Sequence, residues 1–350
     1  MPDGSLFLVT GGAGFIGSNL VAELLRRDAS ASIIVIDDFR SGSFANLVEA
    51  CDRKGVGPFR GEVIPVAMDA AGLAENAEVL KPDAVFHLGA ITDTTVTDEA
   101  EMIDANTSGF SELVQACSDF EVPLVYASSA ATYGSPPHAD HREPFPVNAA
   151  GKPNNVYGFS KWLMEEIHRR AHEDRQTQGL PPAHVVGLRY FNVFGPGETR
   201  KGKMASMAHQ LTHQVLAGKP PRVFEDGSQA RDQVHVDDIV GCTLAAAGLG
   251  DRPRDEIAPG IYNAGSGRAT TFNEIIAAIR EALGISETDL PTDYFEMPAS
   301  VRAFYQDWTC ADMSETQRGL GFTPSRDPIA ATTEYAAWLA GQHRGEPVIA

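Results

Sequence analysis

Leu6-Phe7-Leu8-Val9-Thr10-Gly11-Gly12-Ala13-Gly14-Phe15-Ile16-Gly17 is the stretch that decides the fold of this 350-residue chain. Its first four residues form an apolar run of strand length. The Ser18–Arg27 segment after it sets Leu20, Val21, Leu24 and Leu25 on one helical face. Between the two, Gly12-x-Gly14-x-x-Gly17 and the companion Gly11-x-x-Gly14-x-x-Gly17 supply a tight turn, a backbone without Cβ and close helix–strand packing. A helix that begins there offers unpaired N–H groups and the positive end of its dipole to phosphates. Gly11, Gly14, Phe15, Ile16 and Gly17 are therefore candidate dinucleotide-binding residues. A second apolar run, Ile33–Ile36, ends at Asp37-Asp38, at the distance expected of a carboxylate that holds a ribose hydroxyl. Two adjacent carboxylates would repel a 2′-phosphate, which favours NAD over NADP; Arg40 could instead turn to accept one.

Further apolar runs follow at Val63–Val66, Ala84–Leu88, Leu124–Ala127 and Val185–Leu188, with helical patterns between most of them. Strands alternating with helices predict an α/β fold, a Rossmann-type doubly wound parallel sheet. The pattern weakens after Gly195. Short strands at Val223-Phe224, Gln233–Val236 and Gly260–Asn263, with helices such as Thr271–Leu283 and Pro328–Leu339, predict a smaller mixed α/β substrate lobe. The expected organisation is a dinucleotide-binding domain over 1–190 that also receives a segment near 230–265, an interleaved substrate lobe over 191–340 and a tail over 341–350.

Composition narrows the partners. The chain carries 28 Lys+Arg against 47 Asp+Glu, a net charge of −19, which excludes bulk binding to nucleic acid or an anionic membrane. A small anionic ligand is still allowed, because a few nearby cations outweigh a distant screened field. Cys51, Cys117, Cys242 and Cys310 are scattered without metal spacing and read as buried free thiols. No basic leader and no apolar stretch of membrane-spanning length appear, so a cytoplasmic protein is expected. His138-Ala139-Asp140-His141 lies among Pro136, Pro137 and Pro144 with no third ligand evident; it reads as a solvated turn, and no metal is expected.

Chemistry enters with Tyr126-Ala127-Ser128-Ser129-Ala130-Ala131-Thr132-Tyr133-Gly134 after a strand and Tyr157-Gly158-Phe159-Ser160-Lys161 at the start of a helix. Tyr157 and Lys161, four apart, share one helix face. A free phenol titrates near pH ~10, so a phenolate useful at neutral pH needs a shift of roughly 3 units, about 4 kcal/mol. A neighbouring ammonium and a positive nicotinamide ring both favour the charged form. Ser129 would hydrogen-bond the reacting oxygen while Tyr157 takes its proton as hydride leaves carbon.

With these residues the chain resembles the extended short-chain dehydrogenases/reductases. Leu188-Arg189-Tyr190-Phe191-Asn192-Val193-Phe194-Gly195-Pro196 and Asp237-Asp238 after Val234-His235-Val236 resemble the same superfamily. The resemblance implies that Asn192 lies near a substrate diphosphate and that the protein is a homo-oligomer. Gly195-Pro196-Gly197-Glu198-Thr199-Arg200-Lys201-Gly202-Lys203-Met204-Ala205-Ser206 is more particular, and is similar to the matching stretch of ADP-glycero-manno-heptose 6-epimerases. Tyr126–Gly134, Asn155–Lys161, Phe224-Glu225, Arg231-Asp232, Tyr305-Gln306 and Tyr335-x-x-Trp338-Leu339 agree with it. Leu88, Val96 and Phe304 depart from that family's pattern.

The resemblance implies redox-neutral epimerisation of a nucleotide sugar through a keto intermediate, with NAD or NADP retained because it returns to its starting state each cycle. Two opposite faces of a ketone call for two proton-transfer groups. Tyr157 would be one and Lys201 the other, with Arg200 and Lys203 beside it. Thr94, Thr95, Ser129, Asn192, Lys201, Lys203, Phe224, Arg231 and Tyr305 are the implied substrate residues, and Arg231 would meet the diphosphate as a bidentate cation. A UDP-glucose 4-epimerase would share Ser129, Tyr157 and Lys161 but not the Lys201 segment. A dehydratase would carry carboxylates where Tyr133-Gly134 follows Thr132. A non-catalytic dinucleotide sensor would have no need of the intact Ser129, Tyr157 and Lys161.

Overall fold

A computed structural model describes residues 4–67, 72–93, 98–135, 142–302 and 305–344. The first half alternates strand and helix: β1 (Leu6–Thr10), α1 (Phe15–Arg27), β2 (Ser32–Ile36), α2 (Phe44–Lys54), β3 (Glu62–Ile64), α3 (Leu73–Leu80), β4 (Ala84–His87), α4 (Glu99–Thr107), α5 (Phe110–Asp119), β5 (Leu124–Ser129), α6 (Val156–Thr177) and β6 (Val185–Tyr190). The second half is more broken: β7 (Asn192–Phe194), α7 (Met207–Leu216), β8 (Arg222–Phe224), β9 (Ala230–His235), α8 (Val236–Ala246), β10 (Gly260–Ala264), β11 (Ala269–Thr271), α9 (Phe272–Leu283), β12 (Asp293–Phe295), α10 (Ala299–Arg302), α11 (Ser314–Leu320) and α12 (Pro328–Arg344).

Seven strands in the order β10-β6-β5-β4-β1-β2-β3 form one sheet, and each neighbouring pair runs parallel. The pleat of the sheet sends alternate side chains to opposite faces. Phe7 and Val9 of β1 and Phe86 of β4 enter a core with Leu20, Leu24 and Leu47 of α1 and α2 and Ile239 and Leu244 of α8. Leu8 and Val85 enter the other, with Phe110 and Val114 of α5 and Met164 of α6. Burial on both faces is why these strands read as continuous apolar runs. The expected doubly wound parallel sheet is present. Between β1 and β4 the strand order reverses, and such a switch point opens a crevice at the carboxyl ends of the strands.

β10 joins this sheet beside β6 only after the chain has built β7, β8 and β9 elsewhere. β9 lies between β7 and β11 in a mixed three-stranded sheet, and β8 pairs with β12. α7, α9 and α12 pack with Val223 and Phe194 into a separate apolar core. Carboxylates set helix starts in this half. Glu274 and Thr271 form a reciprocal capping box on α9, and Glu198 accepts from Ser206, whose hydroxyl caps α7. All four cysteines are free and buried, as their spacing led us to expect. Among the described residues, no helix is long and apolar enough to cross a membrane.

Candidate active site

A single cleft of about 1170 Å³ runs along the carboxyl edge of the large sheet and on to the smaller sheets. The glycine turn forms one end. Gly11 has a φ of +66°, and a Cβ there would come within 2.7 Å of the Gly89 backbone. At Gly17 a Cβ would come within 2.1 Å of the Gly11 carbonyl oxygen, so α1 sits against the turn only because no side chain intervenes. α1 starts at Gly14 with no side-chain cap and no acidic residue in its first turn. Its leading N–H groups are left for an outside acceptor, which fits a pyrophosphate. Asp37, 7% exposed, lines the cleft and accepts from the Ala13 and Phe39 N–H groups at 2.9 Å each. Burial raises its carboxyl above the usual range, and those N–H donors oppose the rise. Arg40 is drawn between Asp38, at 3.1 Å, and Glu101, at 3.2 Å.

The reacting centre comes from β5 and α6. Ser129 ends β5, and its hydroxyl accepts from Ala131 N–H at 3.1 Å, turning the chain into a short 3-10 segment over Ala130–Tyr133. Asn155 caps α6 through Gly158 N–H at 2.8 Å. Gly158 packs on that 3-10 turn so closely that a Cβ would lie 2.5 Å from the Ala131 carbonyl oxygen. This approach brings Tyr157 into hydrogen bond with Ser129. Burial pushes the Tyr157 phenol up, and the Ser129 bond draws it partly back. Lys161, one turn along α6, is 2% exposed, with its Nζ 3.7 Å from the Met164 sulfur. Burial pulls its ammonium down to about 7.

Asn106 of α4, missed by the sequence reading, ties this centre together. Its side chain bonds the Ile91 N–H and C=O and donates to Ser160, whose hydroxyl donates to the Tyr157 carbonyl. No linear motif flags it, because its partners lie 15 and 54 residues away.

Beyond Tyr157 the cleft is lined by Asn192, Lys201, Phe224, Arg231 and Tyr305. Arg231, 8% exposed, sits with its guanidinium 4.7 Å from the centre of the Tyr305 ring and 6.0 Å from that of Phe272. Among the described residues no carboxylate forms an ion pair with it. Phe224 and Phe295 pack with ring centres 4.8 Å apart and planes tilted by 51°, a partnership that only the β8–β12 pairing creates. The 3-10 segment Thr199–Met204, hereafter the strap, crosses to the first half of the chain. Arg200 bonds Asn46 and Glu49 of α2, and Lys201 holds its ammonium 5.4 Å from the Phe15 ring. Lys203 differs from the sequence expectation. It is 64% exposed, pairs with Asp93 at 3.6 Å and does not line the cleft.

Polar Glu99, Asn154, Asn155 and Gln306 line a side pocket around Ser129 and Tyr157 and were not foreseen as site residues. Thr94, Thr95 and the His138–His141 cluster fall outside the described residues; among those described, no group of His, Cys, Asp and Glu is arranged to hold a metal.

Comparison with known proteins agrees with this geometry. The chain is 39% identical over 324 residues to the ADP-L-glycero-D-manno-heptose-6-epimerase of Alkalilimnicola ehrlichii, covering 89% of this chain and 90% of that protein. The crystal structure of Helicobacter pylori ADP-L-glycero-D-manno-heptose-6-epimerase superposes with a TM-score of 0.79 at 32% identity, covering 95% of each chain. UDP-glucose 4-epimerase from Thermotoga maritima, solved with UDP-glucose, superposes with a TM-score of 0.77 at 25% identity, covering 97% of this chain and 99% of that one. A family model matches residues 7–265, and with the glycine turn, Ser129, Tyr157 and Lys161 on one cleft, the chain belongs to the NAD dependent epimerase/dehydratase family.

Proposed function

We propose that the protein epimerises an ADP-linked glycero-manno-heptose at its side-chain carbon, converting the D-glycero to the L-glycero sugar. The observation that carries this reading is that Lys201, brought by the strap, lines the same cleft as Ser129 and Tyr157. The named relatives with 39% and 32% identity support the same substrate. The glycine turn and the uncapped start of α1 would hold the cofactor diphosphate, and Asp37 its ribose. NAD, when bound, takes up a hydride from a secondary alcohol and gives it back.

The chain supplies the rest. Ser129 orients the hydroxyl oxygen, and Tyr157 removes its proton. Lys161 keeps positive charge beside the phenol, and Lys201 handles the proton when the ketone is reduced from its other face. Inversion at a side-chain carbon requires only rotation about one bond between the two half-reactions. Arg231, which forms no ion pair with a carboxylate among the described residues, is suited to the diphosphate. Phe224 and Phe295 offer ring faces to the base. Because Arg40 is already held by two carboxylates and Asp37 stands beside it, we take NAD rather than NADP as the resident cofactor.

Incubation with ADP-D-glycero-D-manno-heptose, followed by NMR of the product sugar, should give the C6 epimer with no net change in cofactor. Tyr157→Phe should lose roughly 10²–10⁴-fold in turnover and keep its dinucleotide. Turnover of UDP-glucose, with ADP-heptose untouched, would replace this substrate by the hexose.

A further inference from the structure

Glu198 is a carboxylate with 0% exposure immediately before the strap. One of its oxygens accepts from Gly195 N–H at 3.1 Å and from the Ser206 hydroxyl at 2.8 Å; the other accepts from Ser206 N–H at 2.6 Å. The strap therefore leaves from and returns to one side chain. The Glu198 backbone carbonyl also accepts from Lys201 N–H at 2.9 Å. From α12 the Tyr335 hydroxyl donates to the carboxylate, and His209 of α7 bonds that hydroxyl at 2.9 Å. Donors thus converge on Glu198 from three elements, yet among the described residues no Lys, Arg or His forms an ion pair with it. Both oxygens accept, so an amide, whose nitrogen only donates, would leave the Ser206 N–H facing another donor.

We propose that Glu198 is the positioning residue for Lys201: it closes the strap upon itself, fixes the Lys201 backbone and holds the Lys201 ammonium protonated at the cleft wall. Burial lowers Lys201 and raises Glu198, and the charge of each opposes the shift of the other. Other charged or titratable groups on the surrounding elements are engaged elsewhere. Arg200 is tied to Glu49 of α2, Arg53 of α2 bonds Asn19, Lys203 pairs with Asp93 after β4, His209 bonds the Tyr335 hydroxyl, and Tyr335 bonds Glu198. Of the cleft groups, Tyr157 is bonded to Ser129 and Lys161 is sunk beside Met164. The effect on turnover rests on Lys201 acting as proposed above; the effect on Lys201 itself does not.

The test uses the cofactor-bound protein with its lysines reductively methylated with a ¹³C label, the Lys201 resonance being identified by its loss in Lys201→Met. In Glu198→Gln, the proton affinity of Lys201 should fall at least tenfold relative to wild type, and Glu198→Asp should restore part of it. The limb of the kcat/KM pH profile that follows Lys201 should move by the same factor. An unchanged Lys201 titration in folded, dinucleotide-bound Glu198→Gln overturns the proposal. Should that variant not fold, Glu198→Asp decides: its shorter carboxylate should lower the affinity, and an unchanged titration overturns the proposal equally. A shifted titration with an unmoved pH profile would uphold Glu198 while removing Lys201 from the reaction.

Discussion

At the scale of single residues, Lys161 shows what the active site demands of the fold. It is 2% exposed, has no carboxylate partner among the described residues, and burial draws its ammonium from 10.5 down to about 7. Below pH 7 folded and unfolded chains both carry the proton, and the full cost of the buried charge is present. Between about 7 and 10.5 the unfolded chain keeps a proton that the folded chain has shed, so stability rises with pH across that window. Lys161→Met should therefore stabilise the cofactor-stripped protein most at pH 6, by up to roughly 4 kcal/mol, and less at pH 9, while abolishing turnover. Urea midpoints at the two pH values check this, and equal gains at both would contradict it. Tyr157 and Lys161 were legible in the sequence because their partnership is one helical turn long. Asn106 was not, because it is defined by atoms on three elements that only tertiary structure brings together.

At the scale of elements, the active site depends on how closely α6 approaches the turn after β5. Gly158 permits that approach, and its missing Cβ would otherwise lie 2.5 Å from a backbone oxygen that cannot swing away. Gly158→Ala should push the first turn of α6 outward and separate Tyr157 from Ser129. A fall of roughly 10-fold or more in kcat is expected with little change in dinucleotide retention, measured by turnover and by extraction of bound cofactor. The strands of the large sheet were readable as apolar runs because both of their faces are covered. β7, β11 and β12 are three residues each and too short to show any period, so their existence follows from pairing alone. The strap likewise gave a sequence signal in Lys201 but none for the direction of Lys203, which the ion pair with Asp93 draws outward.

At the scale of the whole molecule, acid should act through buried imidazoles before it acts on the surface. Burial lowers His87 to about 3 and His168, His209 and His235 to about 4. In the unfolded chain all four accept protons near pH ~6.5. As pH falls through that value the unfolded state binds protons that the folded state refuses, and stability is lost progressively from about 6.5 towards 4. Denaturant midpoints should fall steeply across this interval, and a flat profile down to pH 5 would rule the histidines out as the cause. The topology of the large sheet has a separate consequence during synthesis. β6, all six residues of which are buried, gains its second neighbour only when β10 arrives, about 70 residues later. A ribosome adding about 5–20 residues each second leaves that strand edge unpaired for roughly 4–15 s. A naked hydrophobic edge is a template for pairing with other chains. A fragment ending at residue 190 should therefore sediment as aggregates where the full chain does not, and the nascent protein should lean on a chaperone until Ala264 has cleared the exit tunnel.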